Sequence, residues 1–246
     1  AATLTLPNLT TSGLYTTNLV IDTSAPTVAS VTTTTATGSY KAGDLVNVTV
    51  NFSEAVTVTG TPQITLQTTP NRVVDYVSGS STTALVFTYT IQAGDTDARV
   101  DYLSTSALAL NSGTIMDGVG NAADRTLPGL TTSGLYTANI KVDTTAPTVA
   151  SVTTTTASGS YKEADTINVT VNFSEAVTIT GTPQLTLQTT PNRTLDYASG
   201  TGTSAIVFTY TIQAGDTDAR IDYTATNSLV LNSGTVKDAA LNVATL

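Results

Sequence analysis

Two sets of oxygen-bearing side chains recur 121 residues apart: Asp22, Glu54, Asp117 and Asn121, then Asp143, Glu175, Asp238 and Asn242. Carboxylates and amides in such a set suit a hard divalent cation, and calcium takes roughly six to eight oxygens. Asp95 and Asp97, in the loop Ala93-Gly94-Asp95-Thr96-Asp97, are expected to face the second set from the preceding repeat. Together with Asp143, Glu175, Asp238 and Asn242 they would form a calcium cage at the junction, with Glu175 and Asp143 as the first candidates. A plainer alternative stays open: Asp and Asn favour turns through their own backbone hydrogen bonds and then need no ion.

Other chemistry is poorly provided for. The chain of 246 residues contains no His and no Cys, which removes imidazole and thiolate metal sites, thiol nucleophiles, disulfides and a Ser-His-Asp triad. Paired carboxylates can cleave glycosides, but there is no Trp to form a sugar platform, and the acids recur in both halves at one offset. The sequence therefore reads as non-enzymatic. A net charge of −9, from 18 acids and 9 bases, opposes nucleic-acid binding, which needs basic patches to neutralise phosphates. No apolar run reaches the roughly 18 residues of a membrane helix.

The elements that must position these residues come as a repeat. Residues 25–125 align without gaps on 146–246, with 73 identities in 101 positions, and residues 1–24 align on 122–145 at the same offset. Several differences are apolar exchanges of similar size, such as Val46/Ile167, Ile64/Leu185 and Leu85/Ile206, which a packed core tolerates best. Each copy is punctuated by a linker, Asp22-Thr23-Ser24-Ala25-Pro26 and Asp143-Thr144-Thr145-Ala146-Pro147.

Within a copy, short Thr- and Val-rich runs alternate with Gly, Pro, Asn and Asp turns, the pattern of β-strands. Expected strands are Thr27–Thr34, Leu45–Phe52, Val56–Val58 with Pro62–Gln67, Arg72–Val77, Ala84–Ile91, Leu108–Leu110 with Thr114–Met116, and Leu135–Val142. Ser53-Glu54-Ala55 is expected to be a loop, and Asp101-Tyr102 and Asp222-Tyr223 are candidates for tyrosine corners. Such a count of strands in about 120 residues suggests an all-β chain of tandem immunoglobulin-like β-sandwiches in a linear array.

Several phrases carry a resemblance: Tyr40-Lys41-Ala42-Gly43-Asp44, Val50-Asn51-Phe52-Ser53-Glu54-Ala55-Val56, Phe87-Thr88-Tyr89-Thr90, Ala93-Gly94-Asp95, the Asp117–Asn121 turn and Asp143–Pro147. They are similar to the tandem bacterial immunoglobulin-like (Big-type) repeats of large surface adhesins and extracellular fibres. The resemblance implies an extracellular or cell-surface setting and stiff, non-catalytic shafts, frequently with calcium between domains.

The phase of the repeat suggests how copies join. Residues 1–22 read as the final, G-type strand segment of a preceding or neighbouring repeat, 23–143 as the first immunoglobulin-like repeat, and 144–246 as a second repeat without its own final strand. Leu14, Tyr15, Thr16, Thr17, Asn18, Leu19, Val20 and Ile21 are thus expected to form a strand donated to another copy. The expected partner is the protein itself, head to tail, as donated strands or as one long covalent array. The expected function is a structural repeat of a bacterial filament, stalk or adhesin shaft. The alternative is a module whose loops bind a carbohydrate or a host protein, but the loops are nearly identical in both copies.

Overall fold

The structure is a computed structural model that describes residues 4–6, 8–17 and 19–246. The chain is all-β: its helices, among the described residues, are two single turns, α1 (Gly13–Thr16) and α2 (Gly134–Thr137). No helix among those residues is long and apolar enough to cross a membrane. The strands group around two separate hydrophobic cores, and the curled sheets are consistent with β-sandwich packing.

The first unit contains β1 (Val28–Thr32), β2 (Gly38–Tyr40), β3 (Leu45–Thr59), β4 (Gln63–Leu66), β5 (Arg72–Ser78), β6 (Thr82–Thr90), β7 (Thr96–Asp97), β8 (Leu108–Ala109), β9 (Thr114–Met116) and β10 (Ile140–Asp143). Its main sheet runs β1-β3-β6-β5-β4-β8, with β9 also on β3. Alternation decides which face is buried, because successive strand side chains point to opposite sides. Val46, Val48, Val50 and Phe52 point inward along β3 and meet Leu85, Phe87 and Tyr89 of β6.

Ser53-Glu54-Ala55, expected as a loop, is instead part of β3. The register against β6 shifts between Asn51 and Val56, and beyond that point Thr57–Thr59 pair with β9. The irregularity bends the strand without ending it, as bulges do. Glu54 consequently projects from a strand.

A smaller sheet closes the unit, with β10 parallel to β2 and antiparallel to β7. Here the expected strand Leu135–Val142 is corrected: it begins with the turn α2 and becomes strand only at Ile140. The reason is local. Ser133 caps the turn by accepting a hydrogen bond from Tyr136 N at 3.0 Å, a Ser N-cap satisfying a free helical N–H. Leu127, Leu135, Ile140 and Val142 all enter the first core.

The second unit repeats the main sheet with β11 (Val149–Thr154), β12 (Thr166–Thr180), β13 (Gln184–Leu187), β14 (Arg193–Ser199), β15 (Thr203–Thr211), β16 (Leu229–Val230) and β17 (Thr235–Lys237). It has no counterpart of the closing sheet. Residues 159–161 and 217–218, which match β2 and β7, are not strands, because the strand that would hydrogen-bond both is not between them.

Candidate functional site

The open side of the second unit is a groove of about 760 Å³. Val152, Ile167, Val169, Leu187, Tyr210 and Tyr223 line it, with Arg220 and Asp222 at its side. Val152, Ile167, Val169 and Tyr223 are more exposed than their counterparts in the first unit, where Leu127, Leu135, Ile140 and Val142 join the core. Tyr102 is 0% exposed and its counterpart Tyr223 is 38% exposed.

The segment that would match this groove lies at the other end of the chain. Residues 5–22 correspond to 126–143 and include the same Thr-Ser-Gly-Leu-Tyr-Thr phrase. The expected donated strand is not a strand here: α1 covers Gly13–Thr16, capped by Ser12 accepting from Tyr15 N at 3.2 Å. Leu19, Val20 and Ile21 follow without strand pairing, and Asn18 lies outside the described residues. The apolar side chains are in water. Leu14 is 72% exposed against 0% for Leu135, and Ile21 91% against 3% for Val142. Leu14, Tyr15, Thr16, Thr17, Leu19, Val20 and Ile21 are all exposed.

The acidic sets do assemble in part. Asp22, Glu54 and Asp117 each place a carboxylate oxygen within 4.8 Å of the others, and so do Asp143, Glu175 and Asp238. Each group draws one acid from the linker, one from the long strand and one from the turn after β9 or β17. Asp117 Oδ1 accepts the N–H groups of Val119, Gly120 and Asn121 at 2.7–2.9 Å. Burial opposes its charge, yet those bonds and the Asn121 amide hold its carboxyl below the ordinary value. Burial, and then the charges of Asp143 and Asp238, push Glu175 up.

Asn121 and Asn242 act as braces. Asn242 Nδ2 donates to Asp238 Oδ2 at 2.7 Å and to the Asp143 carbonyl at 2.9 Å. Asn121 Nδ2 likewise donates to Asp117 Oδ2 at 2.6 Å and to the Asp22 carbonyl at 3.2 Å. Both partners are acceptors, which forces the NH₂ end of the amide toward the cluster. The donor sets suit a hard cation, since they consist of carboxylate oxygens.

Asp95 and Asp97 do not join the cage. The buried Asp95 carboxylate pairs with Arg72 and accepts from Tyr89 Oη at 2.6 Å. Burial works against its charge, but Arg72 and Tyr89 outweigh it and hold its pKa below the usual value. Asp97 sits on β7 opposite Val142, where its Oδ1 accepts from Arg99 N at 2.8 Å. The preceding unit reaches the linker by another route: Thr144 Oγ1 donates to the Asp95 carbonyl at 3.0 Å and accepts from Gly94 N at 3.0 Å.

Asp101, Tyr102, Arg99 and Leu127 are important residues that the sequence reading placed differently or passed over. Tyr102 is not a tyrosine corner tied to upstream backbone. Its hydroxyl donates to the Pro128 carbonyl, 26 residues downstream, at 2.7 Å. The available signal was the near-identity of residues 5–16 and 126–137, stronger than expected for an exposed connector. Compared with models of known families and with curated proteins, the chain matches none.

Proposed function

We propose that the chain is a non-catalytic structural segment of an extracellular bacterial fibre, stalk or adhesin shaft, built of immunoglobulin-like sandwiches in a row. Each sandwich is completed by the segment that leads into the next unit. The resemblance to Big-type repeats supports the setting. One observation carries the assembly: the first unit is closed by residues 127–143, and the second presents the same groove open while Leu14, Tyr15, Leu19, Val20 and Ile21 of the matching segment are exposed. Copies would therefore join head to tail, with the segment of one copy in the second unit of another, either as separate chains or as successive stretches of one long covalent array. An added strand satisfies main-chain hydrogen bonds and places alternate side chains in pockets. The joint is heterologous, head to tail, the kind of contact that propagates into a filament where its rotation does not close a ring.

The cation belongs to the same proposal. Asp143 is the last residue of β10 and stands in the cluster with Glu175 and Asp238, so calcium there would fix the direction in which the next unit leaves the completed one. The crowding that raises Glu175 supports a cation at this position. At the intermolecular joint Asp22, Glu54 and Asp117 would do the same.

The test is sedimentation velocity over a concentration series, with electron microscopy of the concentrated sample. The expected result is a monomer that grows into linear, non-covalent chains which a denaturing gel resolves to single polypeptides. A monomer at all concentrations, into the millimolar range, would overturn head-to-tail joining.

A further inference from the structure

The closed first unit shows how the completing segment is recognised. Buried Asp101 uses both carboxylate oxygens. Its Oδ1 accepts from Tyr102 N at 2.9 Å and from Ser133 Oγ at 3.0 Å, and its Oδ2 accepts from Thr131 N at 3.1 Å. Nearby, the Arg99 guanidinium lies 4.7 Å from the centre of the Tyr136 ring. Three neighbouring side chains on one loop thus hold three points of the segment: Arg99 the ring of Tyr136, Asp101 the Thr131–Ser133 turn and Tyr102 the carbonyl of Pro128.

Ser133 does two jobs with one hydroxyl. Its oxygen accepts Tyr136 N to cap α2, and its proton goes to Asp101. In the exposed N-terminal segment Ser12 already does the first job, capping α1 through Tyr15 N. That bond uses the Ser12 oxygen as acceptor and leaves its proton free to be donated. The helical turn of the segment is formed before docking, which reduces the ordering cost of binding.

On the acceptor side, Arg220-Ile221-Asp222-Tyr223 stand where Arg99 to Tyr102 stand in the first unit. Asp222 keeps the bond from Tyr223 N at 2.8 Å but is exposed. We infer that the Asp222 carboxylate is the specificity-determining group of the groove: it receives the Ser12 hydroxyl and the Thr10 N–H of a second copy and so sets the register of docking. This rests on the head-to-tail reading above. A carboxylate that must accept an O–H and an N–H two residues apart rejects apolar segments that would otherwise fit the groove. Arg220 would then cover the ring of Tyr15.

The experiment is a titration of the full chain, held at concentrations where it is monomeric, with a fluorescent synthetic peptide of residues 5–22. The partners are wild-type chain and Asp222→Asn, each against wild-type and Ser12→Ala peptide. Asp222 is exposed, so its substitution leaves the unit folded, which circular dichroism checks. Charge-assisted hydrogen bonds predict at least about tenfold weaker binding for either single change. The double combination should lose less than the sum of the two single losses, because both changes remove the shared Ser12–Asp222 contact. If wild-type peptide fails to bind wild-type chain, the head-to-tail reading falls and takes this inference with it. If it binds wild-type and Asp222→Asn equally, or the two losses add in full, the groove stands and the carboxylate's role falls.

Discussion

Leu14 and Leu135 occupy the same repeat position but opposite environments, so one substitution applied to each separates folding from assembly. Leu135→Ala removes a side chain that is 0% exposed in the first core. Leu→Ala at such sites costs about 2–5 kcal/mol, as lost burial plus cavity. Leu14→Ala removes a side chain that is 72% exposed, and surface changes of this kind stay within about 0.5 kcal/mol. In the assembled state, however, Leu14 would take the place of Leu135. Leu6, Leu14, Leu19 and Ile21 would each gain roughly 1.5–3 kcal/mol on burial. Their sum, roughly 6–12 kcal/mol, is similar to the estimated 4–15 kcal/mol lost on association, so losing one anchor is decisive. Urea unfolding of dilute chain should show the first unit weakened in Leu135→Ala and unchanged in Leu14→Ala. Sedimentation should show association weakened roughly 30-fold or more in Leu14→Ala, since each 1.4 kcal/mol is tenfold. The reasoning is refuted if Leu14→Ala destabilises the dilute monomer as much as Leu135→Ala does, or leaves association unchanged.

Asp216 is held at about 2 by the Arg193 and Tyr210 hydrogen bonds, while an unfolded Asp titrates near about 3.9. Its ionised form therefore stabilises the second unit above about pH 4, and that contribution is lost as pH falls toward 2. Asp216→Asn should flatten the acid limb of the stability curve in that window; an unchanged limb in urea melts at pH 2–4 would contradict it. Glu175 has the opposite sign, because its pKa is raised in the folded unit. Without divalent cation, the second unit should lose stability as pH rises past the ordinary Glu value of about 4.3, and Glu175→Gln should remove that loss. With calcium the order reverses: wild type gains in melting temperature over an EGTA control, and Glu175→Gln gains less. Equal melting temperatures in calcium and EGTA would remove the cation from the junction.

The limits of the sequence reading show in particular residues. Alternation along Val46-Asn47-Val48-Thr49-Val50 marks the inward face of β3 without any structure, because strand periodicity is a property of the local backbone. The same alternation breaks at Ser53-Glu54-Ala55, which looks like a loop. Only the pairing of β3 with both β6 and β9 shows that the strand continues through a register shift. Asp22, Glu54 and Asp117 could be named together because their spacing recurs, and the structure brings their oxygens within 4.8 Å. Asp95 shares that acidic character and that recurrence, yet Arg72, 23 residues away along the chain, claims its carboxylate. No local pattern contains that choice.

The sequence by itself determined the repeat, the β class, most strand positions and the existence of a segment out of phase with the units. These follow from local periodicity, turn chemistry and comparison of the chain with itself. The tertiary structure alone decided that the in-phase match of this segment, residues 127–143, is a capped helical turn followed by a strand, that Asp101 and Tyr102 hold it, and which acids meet. Those depend on which distant surfaces come into contact, and burial then sets the worth of each hydrogen bond and charge. The contrast between Leu135 in the core and Leu14 in water makes the division plain: identical residues in an identical phrase, separated only by whether a groove lies over them.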